Sequence, residues 1–569
     1  MLQRILISAI ATCTLAAGAH AEDWFVEAHY DSAAAIAEVA AHFQHLAIDR
    51  KRRIVRVDTD EEGIAVLERA GMQVRIDLAA TAQMRTFYDQ AKGVADSIPG
   101  YACYRTVEET YATIDAIVQA HPDIATVTDI GPTWEKTQNS LNGYSMRALR
   151  VTRLATAVGD PDRPTMVLFG SIHAREYTAA ELVTRFAEWL VNNDGSNAQA
   201  TWLIDHTDFR LVLQANPDGR KKAESGLSWR KNTNRLSAGC AGNPNNSGVD
   251  LNRNFSFNWN STGNAGSSPV PCDTTFRGAG SASEPETQNL RQYVAGSLDG
   301  NGVYGGGALP DKRIDDRNVA APLDYPGLFF DMHSYGELVL WPWGDTTDPA
   351  PNSDGLQTFG RRVAFRNGHT PEQADTLYPT DGTTKEMFYG GLGAPSYTIE
   401  LGMAFFESCS SFENNVVAKN LNALRYAARA AHAAYRLPGG PDVSAITITP
   451  NPVVAGTPVQ ITATIDDTGY NQTNGTQLVR TIKSASATVD LLPWQAGAVP
   501  IALGASDGTF NTSTEAINGM IPTNSLGNGR HLIYIQGVDN DGGSGIPGTP
   551  DAVFLDVIVD PIFQSDFDG

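Results

Sequence analysis

Apolar residues recur along this chain with three different rhythms, and each change of rhythm marks a section. In residues 22–97, short strand-like runs at 24–28, 53–57 and 74–76 alternate with helix-like runs at 33–46 and 61–70. This predicts a small α/β unit, closed by a polar exit stretch over 82–97. From 98 to 437, strands at 165–170, 209–214, 327–332 and 396–401 are almost continuously apolar. Longer helices are expected at 106–120, 178–191, 284–295 and 414–435. Apolar strands between helices imply an α/β fold whose sheet is covered on both faces. In such a fold ligands collect beyond the carboxyl ends of the strands.

Residues 438–441, Pro-Gly-Gly-Pro, read as a linker. Over 442–560 the runs become short and β-branched, at 445–449, 459–465, 487–491, 531–538 and 552–559. Gly, Asn and Asp turns separate them, which predicts an immunoglobulin-like β-sandwich. Residues 561–569 form an acidic tail, expected to be disordered. At the other end, Arg4, an apolar run at 5–17 and the small-x-small triplet Ala19-His20-Ala21 read as an export signal over 1–21. The run is too short to span a bilayer comfortably, and no later stretch reaches about 18 apolar residues. The expectation is a secreted protein, extracellular or periplasmic.

Composition narrows the chemistry. The 569 residues exceed what one core organises. A formal charge of -22 argues against a nucleic-acid partner, because phosphate neutralisation needs basic surface. Beyond the signal four cysteines remain, Cys103, Cys240, Cys272 and Cys409, and an even number in an exported chain favours disulfides. Four cysteines allow three pairings. Cys240 and Cys272 stand at the two ends of one Gly/Asn/Ser-rich stretch and are expected to pair, which leaves Cys103 with Cys409. None lies in a Cys-x-x-Cys.

Two of the histidines stand at strand ends. His173 follows the run at 165–170, with Glu176 three residues on in the connecting turn, and His333 ends the run that begins at 327. Two imidazoles and one carboxylate make a catalytic zinc set with one coordination position open. An isolated His-x-x-Glu is weak evidence, since most such pairs are surface residues; the second strand-end histidine strengthens it.

Six blocks then occur in order: GSIHAREYTAAE at 170–181, NPDG at 216–219, WRKN at 229–232, GVDLNRNF at 248–255, HSYGELVLWPWG at 333–344 and SYTIELG at 396–402. Over about 101–436 the chain resembles the zinc metallocarboxypeptidases of the carboxypeptidase A and carboxypeptidase T type. That resemblance implies a mixed, mostly parallel central sheet with helices on both faces, and one Zn2+ held by His173, Glu176 and His333. It implies Glu400 as general base, and Arg175 and Arg230 as the groups that polarise the scissile carbonyl and stabilise the oxyanion. Asn252 and Arg253 would grip the substrate's terminal carboxylate. Tyr378, 22 residues before Glu400, would close over the substrate, and Lys385 would stand at the base of the specificity pocket. A lysine there favours acidic C-terminal side chains, unless it pairs with the adjacent Glu386. The implied substrate is a peptide or protein with a free C-terminus.

The α/β unit at 22–97 takes the place of the family's inhibitory propeptide, so a zymogen is expected. The sandwich carries no evident site, and attachment to a surface or substrate is read from architecture alone. The chain departs from the compact digestive enzymes in a longer separation between Glu176 and His333, with Gly/Asn/Ser-rich loops around 240–280 and 297–325. Competing readings are a zinc peptidase of peptidoglycan stem peptides and a catalytically dead binding protein. Neither the metal ligands nor the base is lost, as a dead scaffold would require.

Overall fold

The computed structural model describes residues 24–558 except 41, 44–45, 50–51, 83–96, 158–162, 236–246, 314–316 and 377. The expected export signal, the acidic tail, Cys240 and most of the exit stretch lie outside the described residues.

The first section forms a four-stranded antiparallel sheet of β1 (Trp24–His29), β2 (Ala47–Asp49), β3 (Ile54–Thr59) and β4 (Gln73–Ile76), in the order β2-β3-β1-β4. Helices Ala33–Ala40 and Glu61–Arg69 contribute Val39 and Leu67 to a core with Val26, Ala28, Val55 and Val57. The helix expected over 33–46 stops at Ala40. Residues 47–49, beyond that run, form a strand paired with β3 that the local sequence did not lead one to expect.

The second section is built on eight strands: β5 (Ala125–Pro132), β6 (Ser145–Val151), β7 (Thr165–Gly170), β8 (Asp208–Val212), β11 (Gly327–Ser334), β12 (Leu338–Trp341), β13 (Thr370–Gln373) and β14 (Ser396–Leu401). A small hairpin of β9 (Gly296–Leu298) and β10 (Tyr304–Gly306) lies in one long loop. The order is β13-β12-β14-β11-β7-β8-β6-β5. The central four, β14-β11-β7-β8, are parallel, and antiparallel pairings β12·β14, β6·β8 and β5·β6 flank them. Every residue of β7 and β11 is buried, so helices cover both faces. Helix Val107–Ala120 starts where the sequence places it, because Thr106 and Glu109 close a reciprocal capping box. The helix expected over 414–435 is shorter: a wider turn at Phe412–Val417 precedes the α-helix Ala418–Ala430.

The third section adds β15 (Asp442–Thr449), β16 (Val453–Val454), β17 (Val459–Asp466), β18 (Ile482–Val489), β19 (Ile501–Ala505), β20 (Thr514–Ile521), β21 (Gly529–Asp539) and β22 (Asp551–Ile558), in the order β15-β17-β20-β19-β18-β21-β22-β16. The sheet curls around one core of Val459, Ile461, Ile517, Ile533, Ile535 and Leu555, in the manner of a sandwich. It is not loosely tethered. Arg362, on helix Ser353–Asn367, is fully buried; it donates to Pro438 O and Gly440 O of the linker and to Asp442 and Asp467 beyond it. Arg361 donates to four backbone carbonyls over residues 471–475. Trp494 stacks on His432 at 4.3 Å, and Leu492 and Tyr534 join the central core.

Candidate metal centre and active site

Three strand ends build the centre. β7 ends at Gly170, where a Cβ would come within 3.0 Å of Ala179 O, Ala180 Cα and Leu213 O, so glycine lets helix Tyr177–Asn193 pack this closely. Ser171 then adopts a φ of 60°, uncommon for a residue other than glycine. The turn brings His173 and Glu176 past the sheet. His333 is the penultimate residue of β11, inside the strand rather than after it, and the parallel register places Glu400 of β14 beside it.

His173 Nδ1 lies 2.8 Å from Glu176 Oε1, and His333 Nδ1 lies 3.0 Å from both His173 Nδ1 and Glu176 Oε2. All three residues are buried, and their donor atoms lie within 4.8 Å of one another. The far ring nitrogens decide how these atoms act. His173 Nε2 is 3.2 Å from Asp250 Oδ1, and His333 Nε2 is 2.9 Å from Asp331 Oδ2. A carboxylate only accepts, so each Nε2 carries its proton outward and each Nδ1 turns a lone pair inward. Ser334 N donates to Glu176 Oε2 at 3.1 Å and fixes the third ligand. Two inward imidazoles and a carboxylate, each oriented from behind, fit zinc with one coordination position left over.

The electrostatics follow from burial. Burial pushes the Glu176 carboxyl up, but His173 and His333 outweigh it and hold it well below the usual range. For Asp250, burial is likewise outweighed by Arg230 and His173. Glu400 behaves differently: burial pushes its carboxyl up to about 8, with Glu176 and Asp331 adding to the rise and His333 and Arg230 opposing it.

One cavity is lined by His173, Glu176, His333, Arg230, Asn252, Arg253, Tyr378, Lys385 and Glu400 together. Arg230 donates through Nε and Nη2 to Asp250 Oδ2 at 2.9 and 2.6 Å, which leaves Nη1 beside the centre, 3.1 Å from His173 Nδ1. Arg253 is anchored from behind by Gly266 O and Asn252 O, both at 2.8 Å. Asn252 Oδ1 accepts from Thr384 N at 2.9 Å. Tyr378 shares the hydrophobic cluster of the N-terminal unit, with Val39, Phe43 and Met72. Lys385 reaches the cavity but is already paired, its Nζ 3.1 Å from Glu386. Arg175 is not among the lining residues; it donates to Ser228 Oγ at 2.6 Å and lies 4.1 Å over the Phe405 ring.

Residues 110–408 match the family model described as zinc carboxypeptidase. The chain belongs to the zinc carboxypeptidase family. It is 27% identical over 331 residues to carboxypeptidase A1 of Rattus norvegicus, covering 56% of this chain and 67% of the rat protein. It is also 27% identical over 325 residues to a zinc carboxypeptidase of Saccharothrix mutabilis subsp. capreolus, with 55% and 65% covered. The solved carboxypeptidase A of Helicoverpa armigera aligns with a TM-score of 0.55 at 22% identity, over 72% of this chain and 98% of the other, a likeness of fold. The protein is thus a metallocarboxypeptidase, a peptide hydrolase whose cofactor is zinc, with His173, Glu176 and His333 as the metal site.

Of the expected disulfides, Cys103–Cys409 is formed, with Cα atoms 5.5 Å apart. Cys272 is disulfide-bonded as well, while Cys240 lies outside the described residues.

Sequence reading passed over Asp250, Asp331 and Thr384. Asp331 carried a signal: it is an acid inside the apolar run Phe329-Phe330-Asp331-Met332, two residues before His333 and therefore on the same strand face. The remaining motif blocks are structural pins. Asn216 of NPDG donates to Lys231 O and Ile172 O, and Asn232 of WRKN donates to Glu284 and Glu286.

Proposed function

We propose that this protein is a secreted carboxypeptidase that removes the last residue of peptides and proteins, with Glu400 as general base. The observation that carries the reading is a single cavity in which the metal ligands, Glu400, Arg230 and the Asn252–Arg253 pair all face one another. Bound zinc supplies Lewis acidity and lowers the pKa of a coordinated water towards about 7. Arg253, held from behind by two carbonyls, presents its guanidinium edge to a terminal carboxylate, a planar match that lysine lacks. Arg230 offers Nη1 to the charge that develops on the scissile carbonyl oxygen. Glu400 takes a proton from the attacking water and passes it to the leaving amine. Tyr378, which lines the same cavity, closes over bound substrate.

The test is hydrolysis of one peptide in free-acid and C-terminally amidated form, before and after chelation and with zinc restored. Cleavage of the free acid alone, lost and regained with zinc, is expected; equal cleavage of the amide would sink an exopeptidase.

Lys385 rests on Glu386, so it directs preference towards acidic C-terminal residues only where an incoming acidic side chain displaces that partner. Peptides ending in Glu, Leu and Arg check this, and faster release of Leu or Arg refutes it. The unit at 22–97 acts as an inhibitory prosegment. Its cluster takes in Tyr378, and His42 O accepts from Thr274 Oγ1 at 2.9 Å. The β-sandwich is immunoglobulin-like and serves attachment to a surface or substrate.

A further inference from the structure

The structure assigns to Asp331 and Thr384 a positioning role: together they hold His333 in the orientation that binds zinc. The inference rests on His333 being a metal ligand.

His333 is the ligand whose place is least determined by its own backbone. His173 and Glu176 lie in one turn, three residues apart, whereas His333 comes from another strand and must find the correct ring rotation about its χ angles. Asp331, two residues earlier on the same face of β11, places Oδ2 2.9 Å from His333 Nε2. The same Oδ2 accepts from Thr384 Oγ1 at 2.5 Å. Thr384 is the first residue of helix Thr384–Leu392, and its own N–H is bound to Asn252 Oδ1. The aspartate is therefore not free to swing: a strand holds it from one side and a helix start from the other.

The carboxylate is costly where it stands. Asp331 is fully buried, and its Oδ1 has no hydrogen-bond partner among the described residues. A buried carboxylate with one hydroxyl and one imidazole N–H as partners persists only beside compensating positive charge. A divalent cation on the far side of the imidazole supplies that charge. The carboxylate in turn makes the ring more electron-rich and fixes the proton on Nε2, so that Nδ1 is always the donor. Asn252, which also touches Thr384, ties the wall that would grip the substrate to the same network. The ring's other neighbours do not supply this function: Asn252 Nδ2 lies 3.1 Å from Nε2 but is itself a donor and cannot accept the proton.

The measurement is the zinc dissociation constant by competition with a chromophoric chelator, together with the visible spectrum of the cobalt-substituted protein. Asp331→Ala is expected to weaken zinc binding by about 10–100-fold and to change the cobalt spectrum. Asp331→Asn, which still accepts the Nε2 proton but lacks the charge, falls between. Thr384→Val weakens binding less than Asp331→Ala, and Thr384→Ser restores native affinity, which a requirement for threonine's packing alone would not. If Asp331→Ala does not fold, Thr384→Val decides alone. Native affinity and an unchanged cobalt spectrum in the variants overturn the inference while leaving the metal site intact; native protein that takes up no zinc overturns both.

Discussion

Glu400, half-buried, and Arg253, buried, have different supports, and the difference sets what their replacement does. Glu400 is the one residue of β14 that is partly open, its carboxyl is raised to about 8 by burial, and Oε2 makes no hydrogen bond to a described residue. Its scaffold does not depend on its charge. Glu400→Gln is expected to fold and to hold zinc, with kcat lower by about 10²–10⁴ and KM little changed; steady-state kinetics with metal analysis checks this, and near-native kcat would remove Glu400 as the base. Arg253→Lys keeps a positive charge but loses the fork. Loss of charged hydrogen bonds worth about 1.5–3 kcal/mol predicts kcat/KM for free-acid peptides lower by about 10–100-fold, read by comparing the two enzymes on one peptide series. Asp250 belongs to the same scale, since it orients both His173 and Arg230 and no substitution there acts on one alone.

At the level of elements, the Cys103–Cys409 disulfide joins the chain just before helix Val107–Ala120 to the helical turn Cys409–Ser411 that follows β14, across a sequence separation of 306. Its Cys103→Ser/Cys409→Ser replacement is expected to cost about 2–5 kcal/mol, measured as a lower denaturant midpoint; an unchanged midpoint would show that packing alone holds the two segments together. His369 lies between helix Ser353–Asn367 and β13, where burial pushes its imidazole down to about 3. The neutral ring is thus the folded form. Its contribution is complete above the unfolded value of about 6.5 and is lost as pH falls through the window down to about 3. His369→Gln should flatten that part of the stability–pH curve by up to one proton, or about 1.4 kcal/mol per pH unit. Unfolding midpoints at a series of pH values decide it.

The whole molecule is asymmetric about its catalytic core. Among the described residues the hydrophobic cluster of the N-terminal unit takes in one residue of the catalytic section, Tyr378, whereas the sandwich contributes Leu492 and Tyr534 to the central core. Cleavage between about Ala82 and Pro99 is therefore expected to leave the catalytic section folded and to raise its activity; full activity in the uncleaved protein would refute the inhibitory role. Arg362→Ala strips a buried cation from Asp442 and Asp467, and should destabilise by about 3–5 kcal/mol, lowering the midpoint of catalytic and sandwich sections together in calorimetry. Among the described residues no helix is long and apolar enough to cross a membrane.

Pattern along the chain was enough to show the strands that end at the site and the six ordered blocks, and through the resemblance those blocks carry, to name the metal ligands. These are local in the chain: a continuous apolar run states that a strand is buried, and a histidine at its end states where the crevice lies. The helix expected over 33–46 forms only over Ala33–Ala40, and the strand at 47–49, which exists by pairing with β3, was not expected at all. Folding in three dimensions was needed to bring Lys385 onto Glu386, Arg175 onto Ser228 and Arg362 onto the Pro-Gly-Gly-Pro segment. Each depends on a partner supplied by side-chain direction or by an element distant in sequence, and neither is written in spacing. Asp331 lies between the two cases: its position was visible as an acid in an apolar strand, but its purpose appeared only once Thr384 and His333 were found on either side of it.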